Sequence, residues 1–231
     1  MSRKRGILST EDRDVMLRKL RSFNRSNKLP LLNAMKLHGE NRYLFGYRIQ
    51  QNAPSMWILE CMLSAHRPDV IVELGTGFGM LATYFSVYGM LSDFDVNVIS
   101  IDLTMPKLKD RIEAINQNKT RFLQMDIYDP KTVDFVAEKI NSAKRPFILV
   151  DGVDPKSKEV NLYAPKLKEG VVMFAHDASL NGAKKVRWGF SEDKINWDYV
   201  EKNEPYYSWS VEGDTRMLCL KTISNKKVEQ N

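Results

Sequence analysis

Six acidic residues and one histidine stand where this sequence could do chemistry. Glu73 leads Glu73-Leu74-Gly75-Thr76-Gly77-Phe78-Gly79, Asp102 and Asp126 close two later apolar runs, and Asp151, Asp154, His176 and Asp177 fall near the ends of two more. Glycines at every second position let a backbone take positive φ or lie against a ligand with no Cβ in the way. A carboxylate beside such a turn can accept hydrogen bonds from ribose hydroxyls. Carboxylates converging on one point repel unless a cation or proton sits between them. A divalent ion at Asp151, His176 and Asp177 would relieve that repulsion and also lower the pKa of a bound hydroxyl.

The elements that must position these groups alternate along the chain. Val70–Leu74 reads as a buried strand, and Met80-Leu81-Ala82-Thr83-Tyr84-Phe85 after the glycines reads as a helix. Val98–Asp102 is the second strand with a helix over Lys107–Asn116, and Arg121–Asp126 is the third with a helix from Asp129-Pro130 to Ser142. Pro146–Asp151 is the fourth and Gly170–Asp177 the fifth, while Tyr206–Val211 and Arg216–Thr222 read as a terminal antiparallel hairpin. Alternating strands and helices predict an α/β, doubly wound Rossmann-like sheet of five parallel strands plus a C-terminal antiparallel hairpin. In such a sheet the carboxyl ends of adjacent strands share one rim, so Asp151 and His176 can meet although 25 positions apart. A helix starting near Pro54 and stopping before Pro68 would bring residues 44–54 to the same rim as a lid or pocket wall.

The glycine pattern is not that of a dinucleotide site, which requires a third glycine at relative position six. Met80 occupies that position here, and Glu73 is an acid that pattern does not ask for. Acid-x-Gly-x-Gly-x-Gly resembles motif I of the class I S-adenosylmethionine (SAM) methyltransferases. The resemblance implies that Glu73 orders the turn and that Gly75, Thr76, Gly77, Phe78 and Gly79 line the cofactor. It further implies Asp102 and Leu103 at the ribose, Asp126 and Ile127 at the adenine, and Asp151 at the rim of the same pocket.

Asp151-Gly152 after the fourth strand and an acidic pair position after the fifth look like the metal-dependent O-methyltransferases of the catechol type. Phe45-Gly46-Tyr47, Gln51-Asn52-Ala53-Pro54 and the run Arg67–Gly79 are more similar to the cephalosporin hydroxylase family, itself of methyltransferase fold. Carried over by position, the metal ligands are Asp151, His176 and Asp177, and the catalytic groups Asp151, Asp154 and His176. Two positions depart from the pattern. His176 stands where an acid or amide is usual, and imidazole suits Mn, Fe, Co or Zn better than Mg. Asp154 stands where a Lys or His base is expected, and works as a base only if its pKa is raised or the hydroxyl is already acidified.

Length and composition bound the rest. A chain of 231 residues with 43% hydrophobic content builds one large domain or one domain with an appendage. We divide it into a basic, partly helical extension over 1–43, the methyltransferase-like domain over 44–223 and a frayed tail over 224–231. Two cysteines, Cys61 and Cys219, supply neither a metal spacing nor a disulfide framework. With no signal peptide or membrane-spanning run, a cytoplasmic protein is expected, with homodimerisation open. The net charge of +6 is concentrated at the start: residues 1–50 hold 12 Lys/Arg against 4 Asp/Glu, a balance of +8. That arm can attract phosphate, though no RNA-binding aromatic pattern accompanies it. Within it, Ser9-Thr10-Glu11-Asp12 reads as a helix start. Residues 181–190, with Trp197 and Trp209, read either as an acceptor-pocket wall or as a helix packed on the sheet. Asn203-Glu204-Pro205-Tyr206 has the look of an amino-methyltransferase signature in the wrong place, and is discounted.

The expected function is SAM-dependent, divalent-metal-assisted O-methylation of a small hydroxylated acceptor, a sugar or natural-product intermediate. Two alternatives stay open: RNA methylation using the basic arm, and a non-catalytic SAM-binding protein of the same fold.

Overall fold

A computed structural model of the chain describes residues 42–44, 47–49, 51, 53–92, 94–107, 109–115, 119–152, 155–176, 194–207 and 217–224. The basic arm with its expected helix, Asp154, Asp177, the 181–190 segment, Trp209 and the tail from 225 lie outside the described residues.

The chain enters through a two-stranded antiparallel hairpin, β1 (Arg42–Leu44) and β2 (Tyr47–Ile49), followed by α1 (Ala53–His66). Then come β3 (Val70–Leu74), α2 (Met80–Leu91), β4 (Asn97–Asp102), α3 (Lys109–Ile115) and β5 (Thr120–Gln124). The second half contains α4 (Pro130–Ser142), β6 (Pro146–Val150), α5 (Lys156–Tyr163), β7 (Val172–Ala175), β8 (Val200–Lys202) and β9 (Leu218–Thr222). The main sheet has the order β5-β4-β3-β6-β7-β9-β8. Its first five strands are mutually parallel, and β9 runs antiparallel to both β7 and β8.

Alternation along the strands divides the core into two layers. Ile71, Val98, Phe147, Leu149 and Phe174 pack with Leu59, Met62, Leu63 and Phe85 on the side of α1 and α2. Val72, Leu74, Ile99, Ile101, Ile148 and Val150 pack with Val133, Val136, Ile140, Val160 and Tyr163 on the side of α4 and α5. Covered on both faces, β6 is buried along its whole length, as a central parallel strand must be. Phe147 lies between Phe85 and Phe174, with ring centroids 6.0 and 5.4 Å away. At α4, the Asp129 side chain caps the helix by accepting from Lys131 N–H at 2.8 Å, with Pro130 in the first turn.

The expected fold class is the observed one, but the hairpin differs from expectation in its outer strand. The partner of β9 is Val200–Lys202, in the register Val200↔Thr222 to Lys202↔Leu220, and not Tyr206–Val211. Tyr206 and Tyr207 lie in a helical turn after Pro205, and 208–216 are outside the described residues. The three-residue β8 is buried only at Val200, so its alternation is too short to outweigh the aromatic run that follows. Third-strand pairing also stops earlier than expected, at Gln124, leaving Asp126 in the loop beyond it.

Candidate functional site

The sheet order reverses at β3, which has β4 on one side and β6 on the other, and both connections leave by the carboxyl ends. In open α/β sheets the crevice at such a switch point is where ligands bind. Gly75 and Asp151 are the first residues beyond β3 and β6. Gly75 N–H donates to Ile101 O and Asp151 N–H to Leu74 O, both at 2.8 Å, continuing the ladder into the loops. Gly75 has φ of +98°, and a Cβ there would lie 2.2 Å from the Asp151 carbonyl oxygen. Only glycine fits, because two loop backbones occupy nearly the same space.

Asp102 clamps the glycine turn from the β4 side. Its Oδ2 accepts from Thr76 N–H at 2.9 Å and Gly77 N–H at 3.3 Å, while Oδ1 accepts from Thr104 N–H at 3.0 Å. The carboxylate expected at the ribose thus first shapes the turn, and only its remaining lone pairs are free for a ligand. Glu73 lies beneath, 1% exposed, hydrogen-bonded to Ser100, whose hydroxyl is 2.7 Å from that of the buried Thr76. Burial pushes the Glu73 carboxyl well above the usual range, against the opposing hydrogen bond from Ser100 and with help from Asp151 and Asp102. Glu73 therefore supports the turn from below through Ser100 and Thr76. Phe78 and Leu103 are exposed apolar groups, one on the turn and one directly after Asp102. Asp126 is exposed and its Oδ1 accepts from Tyr128 N–H at 2.9 Å. The Ile127 side chain is buried in the core on the α4–α5 side, and its carbonyl oxygen accepts from Tyr163 O–H at 2.6 Å.

On the β6 side, Asp151 is half-buried between two partners. Its Oδ1 lies 2.9 Å from His176 Nδ1, and its Oδ2 accepts from Gln51 Nε2 at 3.3 Å. His176 is buried, and its own N–H bonds Val150 O at 2.9 Å, which places the ring beside β6. The expected meeting of Asp151 and His176 across the strand ends is therefore present. Among the described residues no group of three His, Cys, Asp or Glu is placed to hold a metal, and the third expected ligand, Asp177, lies outside them.

Sequence reasoning assigned no role to three further residues around Asp151. Gln51, from the segment expected as a pocket wall, is buried against the carboxylate. Lys156 and Glu159 are spaced like an exposed helical charge pair, yet both are buried where α5 packs under the Asp151-Gly152 peptide. Lys156 Nζ donates to Gly152 O, Glu159 Oε2 accepts from Gly152 N–H at 3.2 Å and Glu159 Oε1 accepts from Tyr128 O–H at 3.1 Å. A Cβ on Gly152 would meet Glu159 Oε1 at 2.4 Å, so this peptide is held closely. Burial raises the Glu159 carboxyl to about 7, against Lys156 and the bonds from Gly152 and Tyr128.

That shift has a consequence for stability. The native carboxyl holds its proton more tightly than an unfolded one, so its contribution is complete below the ordinary carboxylate pKa. As pH rises to about 7 the contribution is lost, and above that the dependence is flat. The melting temperature of wild type minus that of Glu159→Gln should therefore fall steadily between pH 5 and 7.5. Parallel profiles for the two proteins would exclude a titrating Glu159.

The strand order, the glycine turn at the switch point and the acid that ends β4 define a class I methyltransferase fold. The chain belongs to the family described as Rhamnosyl O-methyltransferase/CmcI, which its residues 37–223 match. It is 27% identical over 146 residues to the rhamnosyl O-methyltransferase of Mycobacterium leprae, an overlap of 59% of this chain and 60% of that protein. The chain thus spans less than two thirds of that relative's length. Among solved structures it resembles CmcI with Mg and SAM, with a TM-score of 0.60 and 19% identity over 79% of this chain and 77% of the other. A CmcI structure with SAH gives a TM-score of 0.60 at 16% identity, covering 80% of this chain and 85% of that one. Among the described residues no helix is long and apolar enough to cross a membrane.

Proposed function

We propose that this protein transfers the methyl group of SAM to a hydroxyl oxygen of a sugar or similar small acceptor, assisted by a divalent ion at Asp151, His176 and Asp177. The observation that carries the reading is the Asp151–His176 pair at the mouth of the switch-point crevice, directly against the glycine turn. The names of the relatives support an O-methyltransferase, and that of the M. leprae protein makes a rhamnosyl hydroxyl the first acceptor to try.

Of the three expected ligands, the two described ones are spaced as neighbours on a metal would be. Two neighbouring ligands on one ion, each about 2.1 Å from it, stand about 3 Å apart. His176 Nδ1 and Asp151 Oδ1 are 2.9 Å apart, so they suit one coordination shell as well as a direct hydrogen bond. With imidazole in the set, a later transition ion is preferred to Mg. Such an ion, when bound, would acidify and orient the acceptor hydroxyl, and SAM supplies the electrophilic methyl group. The protein's own groups do the positioning. Asp102 holds Thr76 and Gly77 so that the turn presents its backbone, and Phe78 and Leu103 offer apolar surface for a flat base. Gln51 and His176 fix the plane of the Asp151 carboxylate, and Lys156 and Glu159 fix the peptide that carries it. Asp154 is the nearest candidate in sequence to receive the hydroxyl proton. Much of the rate would come from holding oxygen, methyl carbon and sulfur in line.

SAH should stabilise the protein, whereas NAD should not. At a ligand concentration a hundredfold above Kd the gain is about 2.7 kcal/mol, visible as a rise in melting temperature. A larger shift with NAD would reverse the cofactor assignment. Transfer of labelled methyl from SAM to a rhamnoside, lost with a chelator and restored best by Mn or Co, is the expected activity. Full transfer in the presence of chelator would remove the metal from the mechanism.

A further inference from the structure

We infer that Gln51 is the hydrogen-bond acceptor for the α-ammonium group of the bound cofactor, its amide bridging that cation and the Asp151 carboxylate. The inference rests on the SAM reading above and adds the residue that recognises the amino-acid end of the ligand.

Gln51 is 2% exposed although it sits on the short link between β2 and α1. Its Nε2 faces Asp151 Oδ2. A carboxylate only accepts, so the amide nitrogen must take that side and the amide oxygen the other. Gln51 Oε1 is buried and has no hydrogen-bond partner among the described residues. Buried acceptors are nearly always satisfied, because leaving one without a donor is costly. A donor arriving with the ligand satisfies this one.

The surroundings select a cationic donor. Asp102 and Asp151 both lie close enough to the buried Glu73 to act on it electrostatically, so two carboxylates flank the crevice. Among the described residues the buried cation near Asp151 is Lys156, which is engaged at Gly152 O and beside Glu159 under the loop. A negative potential at the crevice favours an ammonium group over a neutral hydroxyl. Position agrees with charge. Asp102 grips the turn from β4 and Asp151 abuts it from β6, so a ligand laid along the turn with its nucleoside at Asp102 turns its other end toward Gln51. In SAM and SAH the ammonium group is the cation at that end that can donate a hydrogen bond.

The test is a calorimetric comparison of SAH with 5′-methylthioadenosine, which lacks the amino-acid moiety. Gln51→Met keeps the length and removes the amide. It should weaken SAH at least about tenfold, the scale of one charge-assisted hydrogen bond, and change methylthioadenosine by less than twofold. Gln51→Asn, which withdraws the amide by one methylene, should show the same selective loss and serves if the methionine variant does not fold. Unchanged SAH affinity in both variants, or equal losses for the two ligands, overturns the assignment of Gln51 while leaving the SAM reading intact. Wild-type protein that binds neither ligand overturns the SAM reading and this inference together.

Discussion

Gly75→Ala is expected to abolish SAH binding and to cost about 3–5 kcal/mol of stability, in the range reserved for severe local defects. Two effects combine. With φ of +98° the residue occupies a conformation that an L side chain rarely adopts, at a cost of about 1–2 kcal/mol. The new Cβ would also stand 2.2 Å from Asp151 O, 2.6 Å from Asp151 C and 2.9 Å from Gly152 N. None of these is the end of a flexible side chain. The Asp151-Gly152 peptide is tethered by Leu74, Lys156 and Glu159 and continues the central strand β6, so relief must come from moving the glycine turn itself. Moving the turn breaks the grip of Asp102 on Thr76 and Gly77. Gly170→Ala is the matched control: its φ is +85°, but the nearest atom to a Cβ is Lys221 Cε at 3.9 Å. That variant should lose only about 1–2 kcal/mol and bind SAH normally. Denaturant titration and calorimetry on both proteins decide the matter. Gly75→Ala binding SAH within threefold of wild type would show that the turn is not the cofactor cradle.

Asp151→Asn should reduce methyl transfer about 10²–10³-fold and leave SAH affinity within a fewfold. The change keeps the shape of the side chain and removes its charge. It also removes one acceptor, because an amide carries one carbonyl oxygen where the carboxylate has two. Asp151 accepts from Gln51 Nε2 through Oδ2 and faces His176 Nδ1 through Oδ1, so with the Asn oxygen kept toward Gln51 the new NH2 group faces the imidazole, which must switch tautomer to accept from it. That switch leaves His176 presenting the other nitrogen state to an ion or a hydroxyl. Affinity for Mn, followed by metal titration, should fall with activity. Transfer within tenfold of wild type would place the chemistry elsewhere. Loss of SAH binding in step with activity would make Asp151 a pocket-shaping residue alone.

The parts of this site that could be read without coordinates are those whose cause is local. Glu73 and the three glycines are seven residues of continuous chain, and a strand that must turn at once into a helix declares itself through glycine. Asp102, Asp151 and His176 each follow an apolar run, so their place on the carboxyl rim follows from alternating parallel strands. The outer strand of the hairpin has a distant cause. Val200–Lys202 offers one apolar residue to the core, and its pairing is determined by β9, some twenty residues further on, and not by its own pattern.

By itself, then, the sequence determined the α/β alternation, the glycine turn and the set of acids at the strand ends, because periodicity and backbone sterics act over a few residues. Only the tertiary structure decided what those acids do. Asp102 is a clamp on the turn and Glu73 a hydrogen-bonded support beneath it because the β3–β4 register places Ser100 opposite Glu73. Gln51 reaches Asp151 across 100 positions of sequence. Lys156 and Glu159, an ordinary solvent-facing pair by their spacing, become buried tethers because α5 packs under Gly152. Desolvation and hydrogen-bond partnership are properties of what a group is packed against, and packing partners are chosen by the whole chain.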